Sequence, residues 1–408
     1  MNNKKRILLV HNYYQIPGGE DTVVANEKKM LEDHGHKVFL YTRDNKELNS
    51  FTIFQKLSLP LNTVFSFKTY REVCHIIRKY RIDIVHVHNT LNLISPSVFY
   101  AAFSCKIPVI NTLHNFRLQC PAGTFYRNHH VCEDCMKYGL SCSVKHSCYR
   151  DSKLQTLASA LTIWLHRLIG TYKKINFICL TEFNKKKLLD LNHKKKKVID
   201  EQKVFVKPNF TPEVEDSKSG SVNTRFGLKD KKYYVFVGRV EEIKGIRILV
   251  KTFEKNGQLL VVVGDGNDND NINAYLRRRN IKNIIMLGRQ ERDVVNMIMM
   301  HAKAVIVPSL WYETFGMVVI EAYACRTPVI AADFGNVGDL VEDGRTGFKY
   351  RQDSPDALNL AVERMEKLDQ ADYEQMQQVV YNEYLDRYST EKNYNILKRI
   401  YERAAMND

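Results

Sequence analysis

The chain of 408 residues contains no uninterrupted apolar stretch near the ~20 residues that a membrane-spanning helix needs. Its one leader-like feature is Ile7-Leu8-Leu9-Val10 behind Lys4-Lys5-Arg6, which is too short for a signal core and is followed by no small-residue cleavage site. It reads instead as a first buried strand, and the expectation is a cytoplasmic protein. Acidic residues are in the minority, 46 Asp and Glu against 61 Lys and Arg, giving a formal net charge of +15 and a pI near 9.2. That balance implies a polyanionic neighbour, either nucleic acid or an anionic membrane surface. No nucleic-acid recognition motif accompanies the charge, and the aromatic residues are not interleaved with the lysine clusters, which argues against a nucleic-acid-binding protein with a zinc knuckle. Cysteine is sparse outside one segment, with five of the nine between Cys120 and Cys148.

What is present describes a globular protein, 44% hydrophobic and 26% charged, and too long for one ordinary core, so that two domains of roughly 200 residues are expected. Arg6 to His11 reads as a strand, Pro17-Gly18-Gly19 as a turn, Thr22 to His34 as a helix and Lys37 to Tyr41 as the next strand. Ile82 to His88, Ser95 to Ser104 and Pro108 to Leu113 repeat the alternation. A second series begins at Tyr233 to Gly238 and continues through Leu259 to Gly264, Ile284 to Gly288, Ala304 to Val307 and Thr327 to Ala331. The polar stretch Pro208 to Lys231 is the expected linker. The expected fold is α/β, with two Rossmann-like parallel-sheet domains facing a cleft, over residues 1–207 and 208–389. A helix at 390–408 is expected to pack on one of the domains, the first being one candidate.

Lysines crowd at Lys173-Lys174, Lys185 to Lys187 and Lys194 to Lys197. Just before them, Leu154, Leu157, Ala158, Leu161, Trp164, Leu165 and Leu168 recur at helical spacing, with His166 and Arg167 on another face. Two readings stand: an ordinary core helix followed by solvated lysines, or an interfacial helix beside a basic cluster, peripheral at the inner face of a membrane.

The most informative segment runs from Pro308 to Glu321, two carboxylates joined by nearly apolar sequence. Met317 to Cys325 is apolar on every face except at Glu321, so this helix should be buried and Glu321 should need a partner. If Gly316 makes the turn into the helix, Glu313 lies in the loop before it, where unpaired N–H groups and the helix dipole attract phosphate. A carboxylate beside an anion site and another within the helix suit a nucleotide sugar. Gly238-Arg239 at a strand end, followed by Lys244-Gly245, adds two cations that can neutralise a diphosphate leaving group. Asp268-Asn269-Asp270 spells a DxD but sits in a polar run and reads as a solvated loop.

The ordered set Gly238-Arg239-Val240, Lys244-Gly245, Val263-Gly264-Asp265-Gly266, Leu287-Gly288, Pro308-Ser309, Glu313 to Glu321 and Thr346-Gly347-Phe348 resembles the retaining glycosyltransferases of family 4, which have the GT-B fold. The resemblance implies that Arg239 and Lys244 bind the diphosphate, that Glu313 lies by the donor sugar and that Glu321 bonds the ribose hydroxyls. It further implies donor contacts from Gly238, Gly266, Gly288, Arg289, Thr314, Phe315 and Gly316. In the first half, Gly18 and Gly19 match the glycine loop near the diphosphate and acceptor, and His114 matches the strand-end histidine facing the donor sugar. His86 and His88 point to one side of a strand, either as structural residues or as a lining of the acceptor groove. The implied activity is transfer of a hexose from a UDP- or GDP-sugar, by front-face displacement and without a catalytic metal, to a glycan or lipid-linked acceptor in capsule, lipopolysaccharide or exopolysaccharide assembly. A nucleotide-sugar epimerase of the same fold is the enzymatic alternative, and an inactive scaffold is disfavoured because the donor residues are all there.

The cysteines fall in an insertion at 117–150. Cys132-x-x-Cys135 with further cysteines on both sides suggests a tetrahedral structural zinc held by Cys120, Cys132, Cys135 and Cys148, with Cys142 spare, better than it suggests disulfides in a cytoplasmic chain.

Overall fold

The computed structural model describes residues 4–15, 18–192, 197–214 and 225–406. Pro17, Lys194 to Lys196 and the middle of the linker lie outside the described residues. The chain divides into two compact units, the first comprising 1–125, 132–209 and 393–408 and the second 126–131 and 210–392. Among the described residues no helix is long and apolar enough to cross a membrane.

The first unit opens with β1 (Arg6–Tyr13), α1 (Gly19–Asp33), β2 (Lys37–Asp44), α2 (Ile53–Val64), α3 (Phe67–Tyr80), β3 (Ile84–Asn89), α4 (Ser97–Ser104) and β4 (Val109–Leu113). The cysteine-bearing stretch contributes the short pair β5 (Tyr126–Arg127) and β6 (His130–Val131), then α5 (Asp134–Lys137) and α6 (Ser141–Lys145). After it come α7 (Lys153–Leu168), β7 (Asn176–Cys179), α8 (Glu182–Leu189) and β8 (Val204–Val206). Six strands pair in the order β2-β1-β3-β4-β7-β8, and every pairing is parallel. Helices cover both faces of such a sheet, so β1 carries a continuous apolar run in which Ile7, Leu8, Leu9 and Val10 are fully buried.

In the second unit the elements are β9 (Tyr234–Val237), α9 (Ile246–Asn256), β10 (Leu260–Val263), α10 (Asn269–Arg278), β11 (Ile284–Gly288), α11 (Arg292–His301), β12 (Ala304–Val307) and α12 (Met317–Ala324). They are followed by β13 (Val329–Ala332), α13 (Gly335–Leu340), β14 (Gly347–Tyr350), α14 (Pro355–Glu366) and α15 (Gln370–Glu383). Strand order is β11-β10-β9-β12-β13-β14, again all parallel. This is the doubly wound order in which the chain reverses direction across the sheet between its first and fourth strands, here β9 and β12; ligands bind beyond the carboxyl ends of the strands at that switch point. The last helix, α16 (Thr390–Met406), has residues 393–406 in the first unit, where Leu397 and Ala404 are fully buried.

Two local expectations are corrected. Asp268 is not in a solvated loop: it is buried at the start of α10, and Arg247 Nη2 donates to its Oδ1 at 3.0 Å. The apolar stripe of α7 is not core. Leu154, Leu157, Leu161, Trp164 and Leu168 are 45–64% exposed, while Thr156, Ser159, Ala160, Ile163 and His166 turn inward.

Candidate functional site

In the second unit the strands at the switch point deliver their loops to one place. β9 ends in Gly238-Arg239, and a 3-10 turn at Glu242–Lys244 leads into α9. Gly245 sits at φ 76°, and a Cβ there would lie 1.9 Å from the Pro308 carbonyl oxygen, so only glycine lets this loop close onto the end of β12. The Leu310 amide donates to the Ile243 carbonyl at 3.0 Å, fastening the two loops. Lys244 is thereby held against the segment after β12. Its Nζ donates to Glu313 Oε1 at 2.6 Å and lies 5.3 Å from the centre of the Trp311 ring, and Ser309 Oγ donates to the same carboxylate oxygen at 2.7 Å. Burial opposes ionisation of Glu313, but Lys244, with the hydrogen bond from Ser309, holds its carboxyl below the ordinary range.

The loop carrying Glu313 is pinned from behind by Asn336, whose amide donates to the Glu313 carbonyl at 2.5 Å and the Thr314 carbonyl at 3.1 Å. Gly316, at φ 101°, caps α12 with no side-chain hydrogen bond, so the N-terminus of a largely buried helix keeps its dipole for an anion. One turn on, Glu321 meets Arg292 at the start of α11, Nη2 to Oε1 at 3.2 Å. Arg292 also donates to Thr211 Oγ1 at 2.8 Å. Burial raises the Glu321 carboxyl, and Arg292 offsets only part of that rise. Arg239 is half-exposed and pairs with Glu241 at 2.9 Å.

The first unit gathers a different set at the carboxyl ends of β1, β3 and β4. His11, fully buried, has its Nε2 2.8 Å from Asp21 Oδ1, and Asp21 Oδ2 accepts from the Gly18 amide at 2.9 Å. Tyr14 donates to Glu20 at 2.9 Å; burial, with the charge of Asp21, pushes the Glu20 carboxyl up to about 8. His114 Nε2 lies 2.9 Å from His88 Nδ1, with the two rings stacked. Burial, together with the neighbouring imidazoles, drives His114 well below the usual histidine range and His88 to about 4. Behind them Glu27, fully buried, lies 3.0 Å from His86 Nδ1 and 3.3 Å from His88 Nε2, and accepts from Lys207 at 3.1 Å. Lys207 also donates to Asn393 of α16 at 2.9 Å, and His86 is 2.9 Å from the Tyr401 hydroxyl. A cavity lined by His88, His114, Asn111, Asn115, Arg117 and Tyr172 opens beside the histidines.

A family model described as glycosyl transferases group 1 matches residues 224–386, and one described as glycosyltransferase family 4 matches residues 17–200. The chain belongs to glycosyltransferase family 4. It is 24% identical over 356 residues to an alpha-monoglucosyldiacylglycerol synthase of Streptococcus pneumoniae, covering 84% of this chain and 74% of that one. Among solved structures it is similar to a sucrose-phosphate synthase of Thermosynechococcus elongatus, with a TM-score of 0.71, 17% identity and 99% and 100% of the two chains covered. An Anabaena protein, HepE, in complex with UDP-glucose has a TM-score of 0.66 at 16% identity over 97% and 99% of the chains. The fold is GT-B and the protein is a glycosyltransferase.

Within this family-4 frame the sequence-predicted residues separate. Lys244, Glu313 and Gly316 come together at the switch point. Arg239 shares the loop but is engaged by Glu241. Phe315 is a core side chain, 3% exposed and 6.1 Å from the Tyr388 ring, so only its backbone remains for a donor. Gly266 is dictated by packing, since a Cβ would fall 2.5 Å from the Val240 carbonyl oxygen. Gly288, at φ 65°, and exposed Arg289 end β11 on the other side of β10. His86 and His88 are both buried and enter the Glu27 network, and His88 also lines the cavity. Sequence reasoning missed Arg292, Glu20 and Glu27. The search for a partner to Glu321 could have found Arg292, as an arginine opening the helix before β12.

Among the described residues, the group of three or more metal-type ligand atoms within 4.8 Å of one another is Glu27, His86 and His88, and the Lys207 ammonium already stands on its carboxylate. In the insertion, burial and the nearby Cys120 and Cys148 push the Cys135 thiol up to about 12.

Proposed function

We propose that the protein is a retaining glycosyltransferase that moves a hexose from a uridine or guanosine diphosphate sugar to a saccharide or lipid-linked acceptor in cell-surface polysaccharide synthesis. The observation that carries this reading is the Lys244–Glu313–Ser309 cluster at the switch point, on the segment that leads into α12, whose N-terminus has no side-chain cap. Lys244, Arg239 and that helix end supply positive potential for the diphosphate, and Glu313 stands beside it with a carboxylate kept ionised. Glu321, held by Arg292, takes the ribose hydroxyls. In the reaction the acceptor oxygen bonds to the anomeric carbon as the bond from that carbon to the phosphate oxygen breaks, and the acceptor proton passes to a phosphate oxygen on the same face. The protein's part is to stabilise the charge left on the diphosphate, which this reading gives to Arg239 and Lys244 with no catalytic metal.

His114 is neutral in this scheme and offers a hydrogen bond to the sugar, with His88 fixing its ring. Glycolipid synthesis by the pneumococcal relative named above and UDP-glucose in the Anabaena complex support a lipid or saccharide acceptor and a uridine nucleotide. The test is product analysis with UDP- and GDP-sugars. Nucleoside diphosphate release that requires an acceptor, with an α-linked product from an α-linked donor, is expected. Conversion of the nucleotide sugar without acceptor would instead establish the epimerase.

The zinc on Cys120, Cys132, Cys135 and Cys148 belongs to the same proposal. Purification without chelator should yield about one equivalent of zinc, because a tetrahedral thiolate site binds the metal as its thiols lose their protons; less than half an equivalent would end the idea.

A further inference from the structure

Helices α2 and α7 of the first unit pack against each other, with His166 Nε2 of α7 3.1 Å from the Val64 carbonyl of α2. Each presents apolar side chains outward. On α7 the exposed positions 154, 157, 161, 164 and 168 form one stripe, with Trp164 53% exposed. On α2, Ile53, Phe54, Leu57 and Leu61 are 72–83% exposed, and Phe67 at the start of α3 is 70% exposed. Monomeric soluble proteins seldom leave more than a few hundred Å² of contiguous apolar surface uncovered, and side chains of this size and exposure on two adjacent helices exceed that.

The charge around the face identifies what covers it. Residues 51–71 and 152–181, which build and border the two helices, contain no aspartate or glutamate, yet they carry Lys56, Lys68, Arg71, Lys153, Lys173 and Lys174; of these Lys68 lies 3.9 Å from Glu72, just beyond the stretch. A second copy of this chain would bring those same cations face to face across a two-fold contact. An anionic bilayer would accept the apolar side chains below its headgroups and pair with the lysines at the surface, with Trp164 and Phe54 at the depth aromatic rings favour. We propose that the α2–α7 face is a docking surface for an anionic lipid bilayer. The proposal is independent of the transfer reaction, since binding is read without substrate.

The experiment is co-sedimentation of the full chain with vesicles of phosphatidylglycerol and phosphatidylcholine, or of phosphatidylcholine alone, in low and high salt, alongside the Leu57→Glu/Leu161→Glu variant. Both substituted side chains are solvent-facing, so circular dichroism and thermal melting should match the parent. The expected result is at least tenfold tighter binding to the phosphatidylglycerol vesicles, weakened by salt, accompanied by a blue shift of tryptophan emission, and lost in the variant. Equal binding to both vesicle types, unchanged binding by the variant, or a salt-insensitive dimer in sedimentation velocity that the variant dissociates would each overturn it.

Discussion

The two units manage charge at their strand ends in opposite ways. In the second, Lys244 with Glu313 and Arg292 with Glu321 form ion pairs that keep part of each side chain exposed to solvent. In the first, burial discharges side chains near the strand ends: His88, which lines the cavity, is brought to about 4, and Glu20 of α1 is carried to about 8, so both are neutral near pH 7. The first unit also holds an ion pair, Glu27 with Lys207, whose side chains are both fully buried. The difference suggests a division of labour. A surface that stabilises a leaving diphosphate must carry charge, whereas one that orients sugar hydroxyls needs neutral donors and acceptors.

The comparison breaks most visibly at Lys244. Lys244→Ala removes a cation from the leaving group and the partner of Glu313, and should lower kcat by about 10²–10³-fold in a nucleotide-release assay, with little change in thermal stability. Glu27→Gln reverses the pattern. It strands a buried ammonium, so urea unfolding should show a loss of about 3–5 kcal/mol, against under about 1 kcal/mol for Glu313→Gln, whose lysine can reach solvent. Glu321→Ala is milder. Loss of a charged hydrogen bond to ribose should weaken nucleotide affinity roughly tenfold by calorimetry, with the folded state retained.

The smallest effect concerns pH. A carboxyl raised to about 8 in the folded state binds more protons there than in the unfolded chain, so Glu20 withdraws stability as pH rises from 4.5 to about 8. His88, lowered to about 4, has the opposite sign and withdraws stability as pH falls from 6.5 to about 4. Between pH 6.5 and 8 only Glu20 of this pair acts, and Glu20→Gln should remove a decline of roughly 1 kcal/mol per pH unit. An identical slope in the variant would mean that Glu20 ionises normally.

The strands were legible wherever a parallel sheet forces a continuous apolar run, as at Ile7 to Val10 or Val305 to Val307. β7 and β8 were not, because Asn176 and Lys207 interrupt or follow short runs whose polar groups are satisfied only by distant partners. The donor cluster was legible because its residues lie within short, ordered motifs, and the demand of Glu321 for a partner followed from burial alone. The identity of that partner did not, since Arg292 lies 29 positions away and reaches Glu321 through helix packing. The Glu27 network joins α1, β3, the segment after β8 and α16, a meeting that no local pattern encodes. The α7 stripe carried a correct period and two possible burials; only the packing of α2 beside it shows which face turns outward.

The central claim, a nucleoside diphosphate held by charges of the second unit, is tested most directly by thermal shift with UDP, GDP and their sugars on the parent protein and on Lys244→Ala. The account predicts that a uridine or guanosine diphosphate raises the melting temperature by several degrees in the parent and not in the variant. No shift with any nucleotide, or the same shift in both proteins, would contradict it.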